Sequence, residues 1–172
     1  MITALLASLA LQATAATPAP APPPCAAAEF SAFDFWVGDW DVYPNGKDQL
    51  VAHSRIEKLY GGCALRENWM PLKGAGGGSL NTLVPATGRW RQFWVDSQGG
   101  AVDFEGGPAG NGMVLTGFWR GVNGPGKHGL IRMSYTPVDK DTVRQHGEIS
   151  LDHGLNWSTS FDFIYRRAKS GH

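Results

Sequence analysis

Tryptophans share predicted strand faces with hydrogen-bonding side chains at two places in the sequence. In the run from Trp90 to Asp96, strand alternation puts Gln92 and both tryptophans on one face. Glu67 and Trp69 share a face in the same way. Rings beside amides and carboxylates are typical of a cavity that holds a small, partly apolar ligand. The predicted ligand-binding residues are Glu67, Trp69, Asn81, Gln92, Trp94 and Asp96, followed by Arg132 and Gln145.

The same polar residues admit two other interpretations. They can face solvent or satisfy one another around a filled core, which would make the protein a structural envelope domain. Alternatively, Glu67 or Asp96 can act as acid or base in a hydrolase or isomerase, with Asp103 and Glu105 as further carboxylates. That mechanism requires two carboxylates that converge on one pocket. The sequence favours a protein that is not an enzyme, because it contains no Gly-x-Ser-x-Gly nucleophile motif.

The histidines do not have the spacing of a metal site. None stands in an HxH or HxxxH pattern, so no metal ion and no cofactor is predicted. One alternative is haem binding through His146, because some small barrels of similar architecture hold haem through one late histidine. The five histidines are His53, His128, His146, His153 and His172.

The segments that would position these residues are predicted to be short strands. Apolar runs are bounded by Gly, Pro, Asn or Asp, and no stretch keeps a helical period over three turns. Sequential pairing predicts an all-β fold, a single antiparallel up-and-down β-barrel of about ten strands, with a two-sheet sandwich as the alternative. The predicted strands are Asp39 to Tyr43, Leu50 to Leu59, Cys63 to Met70, Ser79 to Val84, Trp90 to Asp96, Ala101 to Glu105, Gly112 to Trp119, Gly129 to Thr136, Thr142 to Leu151 and Trp157 to Arg166.

Length and charge limit the domain count and the partners. The chain has 172 residues, which suits one domain, predicted over residues 29–168. Its 15 basic and 15 acidic side chains cancel, so no long-range field would steer it onto nucleic acid. The partner that the predicted cavity residues indicate is instead a small apolar or amphipathic molecule.

The N-terminal segment predicts export. Residues 1–15 contain an apolar run from Ile2 to Leu11 followed by small residues, as in a signal peptide, and residues 16–28 form a Pro- and Ala-rich spacer. The apolar run is shorter than the roughly 20 residues of a membrane span. We therefore expect a periplasmic or secreted protein that has no membrane span after signal cleavage.

The chain contains two cysteines, Cys25 and Cys63. In an oxidising compartment this pair is predicted to close one disulfide, which stabilises the fold by about 3 to 4 kcal/mol in the chain-entropy account. The alternative is two separate thiols. The stretch between them includes Phe33, Phe35 and Trp36, which we interpret as a plug at one end of the barrel.

Gly38 and Trp40 have the Gly-x-Trp spacing that begins the first strand of lipocalin-like barrels, the calycins. In calycins the tryptophan packs against an arginine near the end of the last strand, and the resemblance implies this role for Arg166, which precedes Arg167. Across nearly everything after Cys25, the chain resembles a family of exported bacterial domains of unknown function, of the DUF1579-like, lipocalin-like type. That resemblance implies a β-barrel and no established activity.

A second local resemblance involves the segment SLDHGLNW. It fits the pattern Ser-x-Asp-x-Gly-x-x-Trp and resembles the Asp box of sialidase-type propellers, a turn in which the Asp bonds to backbone amides. The unit occurs once, whereas a propeller would repeat it. A structural role is therefore predicted for Ser150, Asp152, Gly154 and Trp157.

Overall fold

The computed structural model of the protein describes residues 23–122 and 124–169. The predicted signal peptide, most of the predicted spacer and His172 lie outside the described residues. In the described part of the chain, no helix has the length and apolar character that crossing a membrane requires.

Ten antiparallel strands of the described chain form one closed barrel, in which each strand pairs with its sequence neighbours and β10 pairs with β1. This confirms the predicted all-β, up-and-down barrel and excludes the sandwich. Three short 3₁₀ helices also occur in the described residues, at Ala28–Ser31, Asp34–Trp36 and Tyr60–Gly62. The strands are β1 (Gly38–Pro44), β2 (Ala52–Leu59), β3 (Ala64–Pro71), β4 (Gly77–Val84), β5 (Arg89–Asp96), β6 (Ala101–Ala109), β7 (Gly112–Trp119), β8 (Gly129–Asp139), β9 (Thr142–Ser150) and β10 (Ser158–Arg167).

Strand alternation decides which side chains enter the barrel. In β5, Trp90 and Gln92 are buried, whereas Arg91 and Phe93 lie on the outer face and are exposed. Because successive residues of a strand point to opposite sides, the inner face of β5 carries large rings together with an amide. The sequence pattern predicts this face, and the same alternation positions the interior side chains of the other strands.

Two strands run three or more residues past their predicted ends. β6 reaches Ala109 instead of Glu105, and β8 reaches Asp139 instead of Thr136. Each extension includes a proline, and the register of β8 against β9 shifts after Pro137. The prediction ended both strands too early because Gly and Pro are more common in turns than inside strands.

One end of the barrel, the plug end, is filled by the segment that precedes β1. The side chains of Phe33 and Trp36 are fully buried. Their ring centroids lie 5.0 and 4.9 Å from that of Tyr135, at the centre of the barrel. Phe35 is partly buried and packs against the same cluster. We call residues 28–36 the plug segment, because it closes this end.

Two links hold the plug segment to the barrel wall. A disulfide joins Cys25, just before the plug segment, to Cys63, just before β3. The ammonium group of Lys58 on β2 lies 2.5 Å from a carboxylate oxygen of Asp34 and donates to the hydroxyl of Ser31 at 3.4 Å. The disulfide therefore fixes the chain just before the plug segment, and the ion pair holds the segment itself.

The arginine that packs on Trp40 is Arg167, and the prediction of Arg166 is wrong. The guanidinium carbon of Arg167 lies 3.9 Å from the centroid of the Trp40 ring. A Cβ at Gly38 would lie 1.7 Å from that guanidinium, and the φ of Gly38 is +142°, so both space and backbone require glycine there. Arg166 lies on the outer face, over the ring of Tyr43. A shift of one residue along a strand moves a side chain to the other face.

The turn between β9 and β10 is built around one aspartate. Asp152 Oδ1 accepts hydrogen bonds from the Ser150 hydroxyl and from the backbone N–H of Asn156, both at 2.8 Å. These bonds, led by the backbone N–H of Asn156, lower the pKa of Asp152 to about 2. The indole of Trp157 donates to the carbonyl of Gly154 at 3.0 Å. The motif therefore stabilises a hairpin and contributes no side chain to the barrel interior.

Candidate ligand-binding cavity

The opposite end of the barrel, the open end, leads into a cavity of about 250 Å³. The plug segment lies at its far side, where Phe33 and Trp36 contact Tyr135. Seven of the ten strands contribute to its wall, so the barrel as a whole positions the site. The lining residues are Glu67, Trp69, Gln92, Trp94, Phe104, Trp119, Met133, Tyr135, Gln145, Phe161, Phe163 and Tyr165.

Two groups of aromatic rings form the upper wall of the cavity. On one side, the ring centroid of Trp69 lies 5.7 Å from that of Phe163 and 6.3 Å from that of Tyr165. On the other side, the centroids of Trp94 and Trp119 are 6.5 Å apart. Apart from Tyr165, these rings are only partly buried. They present apolar surface to whatever enters the open end.

Buried amides and phenols form a connected floor below the rings. Gln92 Nε2 donates to Asn81 Oδ1 at 2.7 Å and to the Tyr135 hydroxyl at 3.2 Å. Gln145 Nε2 donates to the same hydroxyl at 3.0 Å. The hydroxyl of Tyr165 donates to Gln145 Oε1 at 2.7 Å. Because each of these groups has a partner, the floor is held in one arrangement.

Glu67 extends this floor on β3 and is 5% exposed. Its Oε2 accepts a hydrogen bond from the Ser79 hydroxyl at 2.9 Å, and its Oε1 accepts a longer one from the Ser54 hydroxyl at 3.5 Å. Burial raises the pKa of Glu67 to about 7, and the two serine hydrogen bonds oppose this effect only in part. Glu67 therefore changes its charge near neutral pH.

The two buried tyrosines stay neutral. Burial raises the pKa of Tyr135 and of Tyr165 far above the ordinary value, and the nearby charge of Glu67 adds to the effect. Among the described lining residues, Glu67 is thus the single side chain that carries charge near neutral pH. The cavity is either uncharged or singly negative, depending on that proton.

No family model matches this chain. A search among curated proteins returns no match either. The lipocalin-like and DUF1579-like assignment therefore stays a prediction. Within residues 23–122 and 124–169, no three His, Cys, Asp or Glu side chains gather into a group that could hold a metal ion.

Five of the predicted ligand-binding residues come together around the cavity: Glu67, Trp69, Gln92, Trp94 and Gln145. Asn81 is fully buried beneath them and serves the floor, because its amide nitrogen donates to Ser79 and to the Leu65 carbonyl. The indole nitrogen of Trp94 is buried and has no hydrogen-bond partner among the described residues.

Asp96 and Arg132 do not line the cavity, and their prediction as ligand-binding residues is wrong. Asp96 ends β5, where its Oδ1 accepts hydrogen bonds from the backbone N–H groups of Gln98 and Gly100 and stabilises the following turn. Arg132 lies on the outer face of β8 and pairs with Glu148 at 2.9 Å. Asp96 therefore stabilises a turn and Arg132 forms an ion pair on the outer face, and neither side chain lines the cavity.

Apart from Glu67, the residues of the hydrolase and haem-binding alternatives also lie outside the cavity. Asp103 and Glu105 pair with Arg91 and Arg89 across neighbouring strands on the exposed surface. They therefore do not converge with Glu67. His146 lies on the outer face of β9, where its Nε2 is 3.0 Å from the Thr159 hydroxyl, and so it does not point at a ligand in the barrel.

Seven lining residues were not among the sequence candidates. Several belong to runs in which period-2 alternation marks one face, because in β10 every second residue from Phe161 to Tyr165 is aromatic. That signal was available in the sequence, but a run of rings without polar neighbours does not differ from an ordinary core. The residues are Phe104, Trp119, Met133, Tyr135, Phe161, Phe163 and Tyr165.

Proposed function

We propose that this protein is an exported, non-enzymatic binding protein that holds a small, partly apolar molecule in the open end of the barrel. One observation carries the proposal: the cavity has an aromatic upper wall and a polar floor to which Gln92, Gln145 and Glu67 contribute. Ligand pockets generally combine a mostly apolar lining with a few fixed polar groups that orient the ligand.

The size of the cavity limits the ligand. Its volume of about 250 Å³ is slightly below the range of roughly 300 to 1,000 Å³ that is common for ligand pockets. A molecule with one aromatic ring and a short polar tail suits this volume. Haem and long-chain lipids are too large to enter completely.

Binding fits the arrangement of polar groups better than catalysis does. A glycosidase-like mechanism requires a second carboxylate within roughly 5 to 9.5 Å of the first. Asp103 and Glu105 are committed to ion pairs on the outer surface, and Asp96 is committed to its turn. Hydrogen bonds hold the amides of the floor in place, which suits a fixed recognition surface.

Two further features support export and a lipocalin-like relationship as parts of this proposal. A disulfide such as that between Cys25 and Cys63 persists in oxidising compartments such as the periplasm. The packing of Arg167 on Trp40, next to Gly38, is the contact that the calycin resemblance implies, although it is made by the second arginine of the pair.

Two adjacent residues of β5 give a matched test of the proposal. Native mass spectrometry and thermal shift with a panel of single-ring aromatic molecules should find at least one that binds the mature protein. Trp94→Ala should weaken that binding at least tenfold, because it removes a lining ring. Phe93→Ala, which removes a ring from the outer face of the same strand, should leave the affinity within about twofold.

The comparison of the two variants decides the outcome. Equal losses from Trp94→Ala and Phe93→Ala would place binding outside the cavity and contradict the proposal. Absence of binding across the whole panel would favour a structural role for the barrel instead.

A further inference from the structure

The electrostatics of the cavity distinguish between classes of ligand. Arg132, the basic residue that the sequence predicted inside, lies on the outer face, and the described lining residues include no basic side chain. Glu67 is the single ionisable carboxyl group of the lining. Burying an anionic ligand there would leave its charge unpaired and would add repulsion from Glu67. The interior therefore disfavours anions.

The hydrogen bonds of the floor also favour a cationic ligand over an anionic one. The amides of Gln92 and Gln145 are committed to Asn81 and the tyrosine hydroxyls. By contrast, Glu67 accepts one good bond from Ser79 and one long bond from Ser54. A carboxylate has about four acceptor positions, so Glu67 retains the capacity to accept a further hydrogen bond.

Two tryptophans line the same cavity as this carboxylate, one on its own strand and one two strands away. Trp69 is the next inward-facing residue after Glu67 on β3, and its ring contacts Phe163 and Tyr165. Ser79, which bonds to Glu67, pairs in register with Trp94 on β5. Aromatic faces attract a cation when its charge lies within about 6 Å of the ring centroid. A carboxylate and several aromatic rings thus border the same small space.

We infer that the cavity selects small organic cations, with an ammonium group between Glu67 and the neighbouring ring faces and an apolar part against the remaining rings. This inference rests on the binding function proposed above and narrows it to one ligand class. It is independent of whether the cation is a primary amine or a quaternary ammonium group, since both carry the charge that Glu67 and the rings attract.

Cation binding of this kind must depend on pH. The titratable groups that share the interior with Glu67 are Tyr135 and Tyr165, which stay neutral because burial raises their pKa values. On β2 and β3, the charged Arg55 and Arg66 lie on the outer face, each paired with a carboxylate there. Ionisation of Glu67 is therefore the change that governs the charge of the cavity between about pH 6 and pH 8.

Three ligands of similar shape and different charge test the inference. Calorimetric titrations at pH 8 with phenethylamine, phenethyl alcohol and phenylacetate should show the amine binding at least tenfold more tightly than the alcohol, and phenylacetate binding most weakly. If phenethyl alcohol or phenylacetate binds most tightly, the cation inference fails while the binding function stands. If none of the three binds, both fail.

A neutral replacement at Glu67 supplies the matched control. Glu67→Gln should weaken phenethylamine binding about tenfold or more and change phenethyl alcohol binding by less than about threefold, because it removes the charge and keeps the shape. Unchanged phenethylamine affinity in a folded Glu67→Gln protein would overturn the inference. The thermal unfolding midpoint of the variant establishes that it is folded.

The wild-type protein offers a test that needs no variant. Benzyltrimethylammonium keeps its charge at every pH, so only the protein can titrate. Its affinity should rise about tenfold from pH 6 to pH 8, because the pKa of Glu67 is about 7 and the cation prefers the ionised form. An affinity that is flat over this interval would contradict the inference.

Discussion

The two ends of the barrel use the same type of side chain for opposite purposes. At the plug end, Phe33, Trp36 and Trp40 are completely buried, and the plug segment is tied down by a disulfide and an ion pair. At the open end, Trp69 and Trp94 remain partly exposed around a cavity. Aromatic content alone therefore does not identify a binding site. The difference lies in what covers the rings.

The polar floor separates these two regions and explains how both can exist in one small barrel. Tyr135 contacts the plug rings on one side, while its hydroxyl receives hydrogen bonds from Gln92 and Gln145. The floor satisfies buried polar groups without filling the volume beyond them. A wholly apolar filling would have extended the plug-end core through the barrel and left no cavity.

The largest expected effect tests the plug end against the open end in terms of stability. Trp36→Ala should lower the free energy of unfolding by about 3 to 5 kcal/mol, because it empties a fully buried position. Trp119→Ala, at a partly exposed lining position, should cost about 1 to 2 kcal/mol. Urea denaturation measures both values. Equal losses would show that the open-end rings form part of an ordinary core.

The disulfide gives the next largest effect and sharpens the same contrast. Replacing Cys25 and Cys63 together by serine should lower the free energy of unfolding by about 3 to 4 kcal/mol, given the sequence separation of 38 residues. Ligand affinity at the open end should stay within about twofold when measured below the unfolding transition. A large loss of affinity would show that the plug segment shapes the cavity directly.

The pH dependence of stability isolates the floor. The pKa of Glu67 is about 7 in the folded protein, whereas the ordinary value, which applies to the unfolded chain, is 4.5. Between those values the folded protein holds a proton that the unfolded chain has lost, so stability falls as pH rises from about 4.5 to about 7 and then levels off. The decrease amounts to about 3 kcal/mol, since one pKa unit corresponds to about 1.4 kcal/mol.

Glu67→Gln should remove this dependence, so that its unfolding free energy relative to wild type increases by about 3 kcal/mol between pH 4 and pH 8. Glu105→Gln, on the outer surface, is the control and should leave the slope unchanged. Chemical denaturation across the pH range provides the measurement. Parallel curves for wild type and Glu67→Gln would mean that Glu67 ionises at its ordinary pKa.

Sequence patterns predicted the architecture well because strand alternation and turn residues are local signals. All ten strands occur in the predicted order, and the inner face of β5 is as predicted for Trp90, Gln92 and Trp94. One error occurs where a strand ends. Asp96 follows the inward alternation on paper, yet as the last residue of β5 it turns to the backbone of the following loop.

Other features of the site were beyond a sequence argument because they depend on contacts between distant strands. Whether Arg166 or Arg167 packs on Trp40 depends on the register between β10 and β1, which places Arg167 opposite Trp40. Arg132, by contrast, was within reach of a sequence argument, because it lies between the inward-facing Ile131 and Met133 and alternation alone places it outside. The hydrogen bonds that connect Glu67 through Gln92 to Tyr165 join six strands, and no local pattern reveals them.

The indole N–H signals of the seven tryptophans permit the most direct test of the central claim, because they report on both ends of the barrel in one spectrum. In a two-dimensional proton–nitrogen NMR titration with phenethylamine, we expect the signals of Trp69, Trp94 and Trp119 to shift progressively. The remaining signals, from Trp36, Trp40, Trp90 and Trp157, should stay in place. Saturable shifts confined to the second group, or no shift in the first, would contradict binding in the cavity at the open end.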